Sequence, residues 1–203
     1  MDKQQNVNLI TEKKIIAIIR ADVSEGIEGV VDALKSSGVS IIEVSFNTPG
    51  ALTWLEFIAK KYDNDVLVGA GTVIDSETAV QAIYAGSRFI VSPIYRREIV
   101  ETCLRYNAVS VPGVLTPNEA LIAHEAGADF VKIFPAGNLG PGYIKAIKSP
   151  LPQLRIIPVG GINLENAGAF LKNGASALAV GGSLVSKEDV RNRDYRAIEK
   201  LGR

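Results

Sequence analysis

The sequence predicts an α/β fold, a (β/α)8 TIM barrel in a single domain covering residues 1–203. Three observations predict it. A short apolar run followed by a helix-like segment occurs eight times, at a spacing of roughly 20–27 residues, near the lower limit for such barrels. The apolar runs are continuous, as in Ile15-Ile16-Ala17-Ile18-Ile19, which suits parallel strands buried on both faces. A glycine, then a small or β-branched residue, then an apolar run recurs at Gly38, Gly86, Gly127 and Gly174. The rival is a doubly wound open sheet. It wants fewer strands and a glycine-rich turn after strand one, where this chain has Arg20-Ala21-Asp22.

In order, residues 1–12 predict a polar lead-in helix, and 15–19 form strand one, ending at Arg20. A helix is expected over 24–37, with Ser24 as its N-cap and Gly38 as its stop. Strand two covers 39–45 and its helix 49–62, with Pro49 in the first turn. Strand three covers 66–70, and its helix opens near Asp75 or Ser76 and stops at Gly86. Strand four is 88–92 with a helix over 96–106; strand five is 108–111, followed by Pro112-Gly113 and a helix from Pro117 to Gly127. Strand six is Asp129-Phe130-Val131-Lys132-Ile133-Phe134-Pro135, with a helix over 141–148. Strand seven covers 155–159 with a helix over 164–173. Strand eight covers 177–180, and a charged terminal helix spans 187–201.

Composition narrows the chemistry. Lys+Arg and Asp+Glu balance at 22 each, so no basic field faces a nucleic acid or an anionic membrane. One cysteine, Cys103, excludes an internal disulfide and fits a reducing compartment. With one histidine, His124, a His/Cys zinc site and a serine–histidine triad are both excluded as expectations. The start is polar, and no run approaches the roughly 20 apolar residues of a membrane span. A cytoplasmic protein is expected.

A barrel of this kind carries its site at the C-terminal ends of the strands. Two charged residues interrupt apolar strands there. Lys132 shares a face with Phe130 and Phe134 at period two, and burial would depress its pKa, as an amine nucleophile requires. Glu43 interrupts Ile41-Ile42-Glu43-Val44, as an acid/base tuned by an apolar site and a nearby cation would. The plainer readings are a snorkelling lysine and a buried Glu–Lys ion pair. Val159-Gly160-Gly161 and Val180-Gly181-Gly182-Ser183 follow strands seven and eight, the usual phosphate seat of this fold. Arg20, at the end of strand one, suits a carboxylate, or else a surface ion pair. Thr72, after strand three, suits the same carboxylate, or else a helix cap. Pro93, after strand four, is grouped with them, and Phe134 lines the pocket. His124 and Cys103 are read as scaffold.

These motifs, with Val68-Gly69-Ala70-Gly71-Thr72-Val73, Val91-Ser92-Pro93, Val111-Pro112-Gly113 and Val131-Lys132-Ile133-Phe134-Pro135, resemble the 2-keto-3-deoxy-6-phosphogluconate/4-hydroxy-2-oxoglutarate (KDPG/KHG) aldolases over nearly the whole chain. The resemblance implies a class I lyase releasing pyruvate and glyceraldehyde 3-phosphate. Lys132 would form the Schiff base and Glu43 would move protons. Thr72 and nearby backbone would hold the carboxylate, and the glycine loops with Ser183 the phosphate. It implies a homotrimer and no metal or organic cofactor. The gluconate enzymes often have an arginine after strand two, where this chain has Phe46-Asn47-Thr48-Pro49. They often have threonine where Val159 stands and glycine where Ile94 stands. The Asn47 pattern, Arg20 at the end of strand one and Val159-Gly160-Gly161 resemble the 6-phosphogalactonate branch instead, with Arg20 taking over the carboxylate. Two other classes compete: a phosphate-binding epimerase or transferase with an electrostatic Lys132, and a catalytically silent metabolite-binding protein.

Overall fold

The computed structural model describes residues 2–63 and 65–203; Met1, at the head of the expected lead-in helix, lies outside them. Asp2 opens α1 (Lys3–Lys13) by accepting a hydrogen bond from Gln5 N–H, while the Gln5 side chain accepts from Asp2 N–H. There follow β1 (Ile15–Ile19), α2 (Ile27–Ser36), β2 (Ile41–Ser45), α3 (Ala51–Tyr62), β3 (Leu67–Gly71), α4 (Ser76–Tyr84), β4 (Phe89–Val91) and α5 (Arg97–Arg105). The second half holds β5 (Val109–Val111), β6 (Gly113–Val114), α6 (Pro117–Glu125), β7 (Val131–Ile133), α7 (Pro141–Lys148), β8 (Ile156–Pro158), α8 (Ala167–Lys172), β9 (Leu178–Val180), α9 (Lys187–Asn192) and α10 (Tyr195–Gly202).

Three expectations are corrected. Ser24 does not cap α2; Gly26 does, at φ 87°, and Ser24 instead offers its carbonyl to Trp54 Nε1–H. Pro49 stands outside the helix it was expected to open, since α3 begins at Ala51 behind Gly50, whereas the fifth strand stands in its expected place and a further short strand, β6, follows Pro112. The terminal helix is also two: Arg193 turns left-handed at φ 56° to end α9, and Asp194 caps α10 by accepting from Ala197 N–H.

All strand pairs are parallel, in a six-stranded sheet ordered β5-β4-β3-β2-β1-β9 and a three-stranded sheet ordered β6-β7-β8. The two sheets meet at Pro112, between β5 and β6, and at a bridge from Val159, just past β8, to Ala179 in β9. The result is an α/β fold around a curled parallel sheet. Its inner face carries alternate residues: Ile16 and Ile18, Ile41, Leu67, Phe89 and Val91, Val109 and Val111, Phe130, Ile157 and Val159. Val7 and Ile10 of α1 close this inner core at the N-terminal ends of the strands. Lys3 pins α1 there by an ion pair to Asp129 at 3.0 Å, and Asp129 also accepts from Ser110 N–H and Oγ–H. The outer face (Ala17, Ile19, Ile42, Val44, Val68, Ala70, Ile90) packs under the helices. Each fully buried large apolar side chain contributes about 1.5–3 kcal/mol. The curl leaves the opposite, C-terminal end of the strands for polar residues. No helix among the described residues is long and apolar enough to cross a membrane.

Candidate active site

Period two carries the inner face from Phe130 to Lys132 and from Ile41 to Glu43. Lys132 lies in register with Gly113 and Ile157; Glu43 lies in register with Ile18 and Gly69. Lys132 is 6% exposed and Glu43 2%. Among the described residues no ion pair within 4.0 Å joins them, and Glu43 Oε2 has no hydrogen-bond partner. The Lys132 ammonium faces the Phe134 ring, 4.9 Å from its centroid. Burial holds the Lys132 pKa below its ordinary value, and the positive charge of Arg20 adds to this while Glu43 opposes it. Burial pushes Glu43 up, against the pull of Lys132 and Arg20. Both groups are thereby biased toward their neutral forms.

Glycines make the room. A Cβ at Gly71 would run into the Glu43 carboxylate and lie 2.7 Å from its Cγ. A Cβ at Gly113 would run into the backbone of Pro93 and lie 2.8 Å from Ser92 O, so this glycine lets the end of β4 approach β6.

Arg20 makes no ion pair among the described residues. Its Nε–H donates to Ser45 Oγ at 3.4 Å, and Ser45 Oγ shares a 2.8 Å hydrogen bond with Thr72 Oγ1. Thr72 does not cap a helix; Asp75 caps α4 by accepting from Thr78 N–H. Thr72 holds φ 60°, a region that β-branched residues rarely enter.

Beside these groups lies a cavity of about 480 Å³, lined by Arg20, Phe134, Val159, Gly160, Gly161, Gly181, Gly182 and Ser183, and by Asn163 and Lys187. Lys132, Glu43, Thr72 and Pro93 are outside its lining. Phe134 and Arg20 join the two regions: Phe134 faces Lys132 and is 42% exposed toward the cavity side. Gly160 and Gly161 hold φ 85° and 76°, and a Cβ on Gly161 would sit 3.0 Å from Gly137 Cα. The N–H groups of Gly161, Ile162, Gly182 and Ser183 donate no hydrogen bond among the described residues. The Ser183 hydroxyl donates to Ile162 O at 2.6 Å, which leaves its oxygen as an acceptor and its N–H as a donor. The cavity's charged lining residues, Arg20 and Lys187, are both cationic.

Sequence reasoning missed Ser45, Gly71, Asn163 and Lys187. Ser45 follows the same inward period as Ile41 and Glu43, but a serine at a strand end does not stand out in a sequence. Lys187 opens a charged helix, and nothing in its sequence context separates it from a solvated residue. Cys103 and His124 both lie away from the strand ends, on α5 and α6; burial pushes the Cys103 thiol up to about 12.

Fold and site together define a class: an α/β enzyme built on a buried amine and a buried acid. A family model, KDPG and KHG aldolase, matches residues 7–201, and the chain belongs to that family. It is an aldolase, a carbon–carbon lyase. It is 37% identical to a probable 2-dehydro-3-deoxy-6-phosphogalactonate aldolase of Rhizobium meliloti, over 90% of this chain and 88% of that one. It is 34% identical to a 2-dehydro-3-deoxy-phosphogluconate aldolase of Haemophilus influenzae, over 98% and 94%. Among solved structures, it superposes with a TM-score of 0.90 on the KDPG aldolase of Legionella pneumophila, at 28% identity over 97% of this chain and 95% of that one. That structure holds pyruvate captured at low pH as a covalent carbinolamine intermediate.

Proposed function

We propose that the enzyme is a class I aldolase that cleaves 2-keto-3-deoxy-6-phosphogluconate to pyruvate and glyceraldehyde 3-phosphate, and that it also accepts 4-hydroxy-2-oxoglutarate. The observation that carries this reading is Lys132, buried with a depressed pKa on the same inner face as Glu43. The neutral amine attacks C2 of the keto acid. Glu43, kept protonated by burial, gives its proton to the departing hydroxyl of the carbinolamine, leaving an iminium. The resulting carboxylate takes the C4 hydroxyl proton as the C3–C4 bond breaks, and the aldehyde leaves. The bond's electrons form an enamine, C3 regains a proton from Glu43, and water releases pyruvate. Glu43 thus donates and accepts in turn, a task that suits a carboxyl whose pKa is raised toward the working pH. The iminium is the electron sink, so the route needs no metal or organic cofactor.

Thr72 is assigned to the carboxylate, with Arg20 and Pro93 beside it. The phosphate is assigned to Gly160, Gly161, Gly181, Gly182 and Ser183, whose loops offer N–H groups unpaired among the described residues to a cavity with cationic walls. Fixing both ends of the substrate aligns the C3–C4 bond. The carbinolamine of the Legionella enzyme supports the covalent route. We read the two seams of the curled sheet as the closure of a single-domain (β/α)8 barrel. The family resemblance supports a homotrimer, and the single buried cysteine supports a cytoplasmic setting. Borohydride reduction in the presence of pyruvate is expected to add a pyruvate-derived mass to the Lys132 peptide. An active enzyme that takes no adduct would reject the covalent mechanism.

A second reading, the 6-phosphogalactonate epimer as substrate, is favoured by Arg20 holding Ser45 while no arginine follows β2, and by the Rhizobium relative. Comparing kcat/KM on the two epimers decides between them.

A further inference from the structure

Ser45 is fully buried at the end of β2 and makes two hydrogen bonds, one with Arg20 and one with Thr72. A hydroxyl carries one proton and two acceptor sites, whereas a guanidinium only donates. The bond from Arg20 Nε–H at 3.4 Å therefore occupies a Ser45 lone pair. The Ser45 proton needs an acceptor, and the only one in reach among the described residues is Thr72 Oγ1 at 2.8 Å. If Thr72 donated instead, a buried hydroxyl proton would be left without a partner, which folded proteins avoid. The direction of the chain follows: Arg20 donates to Ser45, Ser45 donates to Thr72, and the Thr72 proton is free. A charged first donor polarises each later one. A second contact steadies the start of the chain, since Ala21 N–H donates to the buried Thr48 Oγ1 at 3.1 Å and ties the end of β1 to the β2–α3 loop.

We propose that Ser45 is a positioning residue that fixes the Thr72 hydroxyl as a hydrogen-bond donor to the carboxylate end of the keto acid, with Arg20 acting through Ser45. The inference rests on the reading of this mouth as a keto-acid site. It gives Arg20 a place between the two ends of the substrate: its Nε is committed to Ser45, while the residue also lines the anion cavity.

The test measures the pyruvate concentration that half-saturates borohydride trapping, and separately the inhibition of cleavage by inorganic phosphate. Ser45→Ala removes one atom and the relay. It is expected to raise the half-saturating pyruvate about tenfold, the worth of one hydrogen bond to a charged group. Phosphate inhibition should stay within about twofold, because the glycine loops are untouched. Thr72→Val should match this loss, and the Ser45→Ala/Thr72→Val double variant should be no worse than Thr72→Val alone. Unchanged pyruvate saturation in Ser45→Ala, equal losses for pyruvate and phosphate, or full additivity of the two substitutions would each overturn the assignment. Wild-type trapping in the same assay separates this failure from failure of the Schiff-base reading: wild type that takes no adduct sinks the lysine chemistry, whereas wild type and Ser45→Ala that trap alike sink only the relay.

Discussion

Gly71→Ala asks whether the placement of the Glu43 carboxylate sets the rate. The backbone at Gly71 is outside the left-handed region, so alanine brings no φ strain; the cost is all in the added methyl. That methyl would meet the Glu43 carboxylate head-on, and even the more distant Cγ would lie 2.7 Å away, against the 3.4 Å of ordinary contact. Glu43 is buried, so its carboxyl has to withdraw on the order of 1 Å, enough to cost about 100-fold when proton transfer depends on position. That is about 2.7 kcal/mol of barrier. Overpacking costs about 1–3 kcal/mol of stability, or a fall in Tm of roughly 2–12 °C for a chain of this size. Turnover is followed by coupling pyruvate release to lactate dehydrogenase, with Tm measured on the same samples. Gly69→Ala is the control: its Cβ would meet the Phe89 ring at 2.5 Å, a comparable packing insult that spares the carboxylate. We expect both variants to lose Tm, and Gly71→Ala alone to lose kcat by about 100-fold. Adding Glu43→Asp to Gly71→Ala shortens the clashing side chain and is expected to return part of the Tm. If Gly71→Ala turns over within about threefold of wild type, or Gly69→Ala loses as much activity per degree of Tm, the argument from carboxylate position fails.

Three further outcomes are expected. Arg20→Met removes a positive charge that lowers the Lys132 pKa, so the acid limb of the kcat/KM profile moves to higher pH; a limb that stays put excludes the electrostatic contribution. Gly161→Ala forces alanine to φ 76° with its Cβ 3.0 Å from Gly137 Cα, and is expected to raise KM for the phosphorylated acid at least about tenfold while pyruvate trapping holds. Lys132→Met abolishes turnover and changes the pH dependence of stability. The folded amine resists the proton that the unfolded amine takes below about 10.5, so wild type loses stability as pH falls from there toward the depressed folded value. The variant lacks this loss, so its Tm relative to wild type should rise as pH is lowered below about 10.5; a flat difference refutes the depressed amine.

Much of the fold was legible because its elements obey local rules. Strand one at 15–19 and the helix at 141–148 stand where apolar runs and Pro141 place them. Errors fell where a backbone conformation, rather than a side-chain pattern, ends an element. Gly26 took the N-cap from Ser24 by its left-handed φ, and Arg193 broke the terminal helix although arginine carries no stop signal. Lys132 and Glu43 stood out because a charge in an apolar strand is locally improbable. Ser45 did not, since a serine at a strand end is common and its value depends on Arg20 and Thr72, which the sheet brings to it from other strands.

The layering of the inner face explains why amine and acid are both buried and both biased toward their neutral forms. One layer down, Ile41, Leu67, Val111 and Phe130 fill the curl with large side chains. At the level of Glu43 and Lys132 the strand partners are Ile18 and Gly69, and Gly113 and Ile157; Gly69 makes room for Phe89 and Gly113 for the end of β4, while Gly71, next along β3, makes room for the Glu43 carboxylate. Gly71 therefore gives up volume just where the sheet carries the carboxylate. Burial above the apolar floor desolvates both groups, which biases each toward neutrality, and Gly71 leaves the Glu43 carboxylate its place. Had Gly71 been valine, as parallel strands usually carry, the Glu43 carboxylate would have no room there and the layer would close toward solid core.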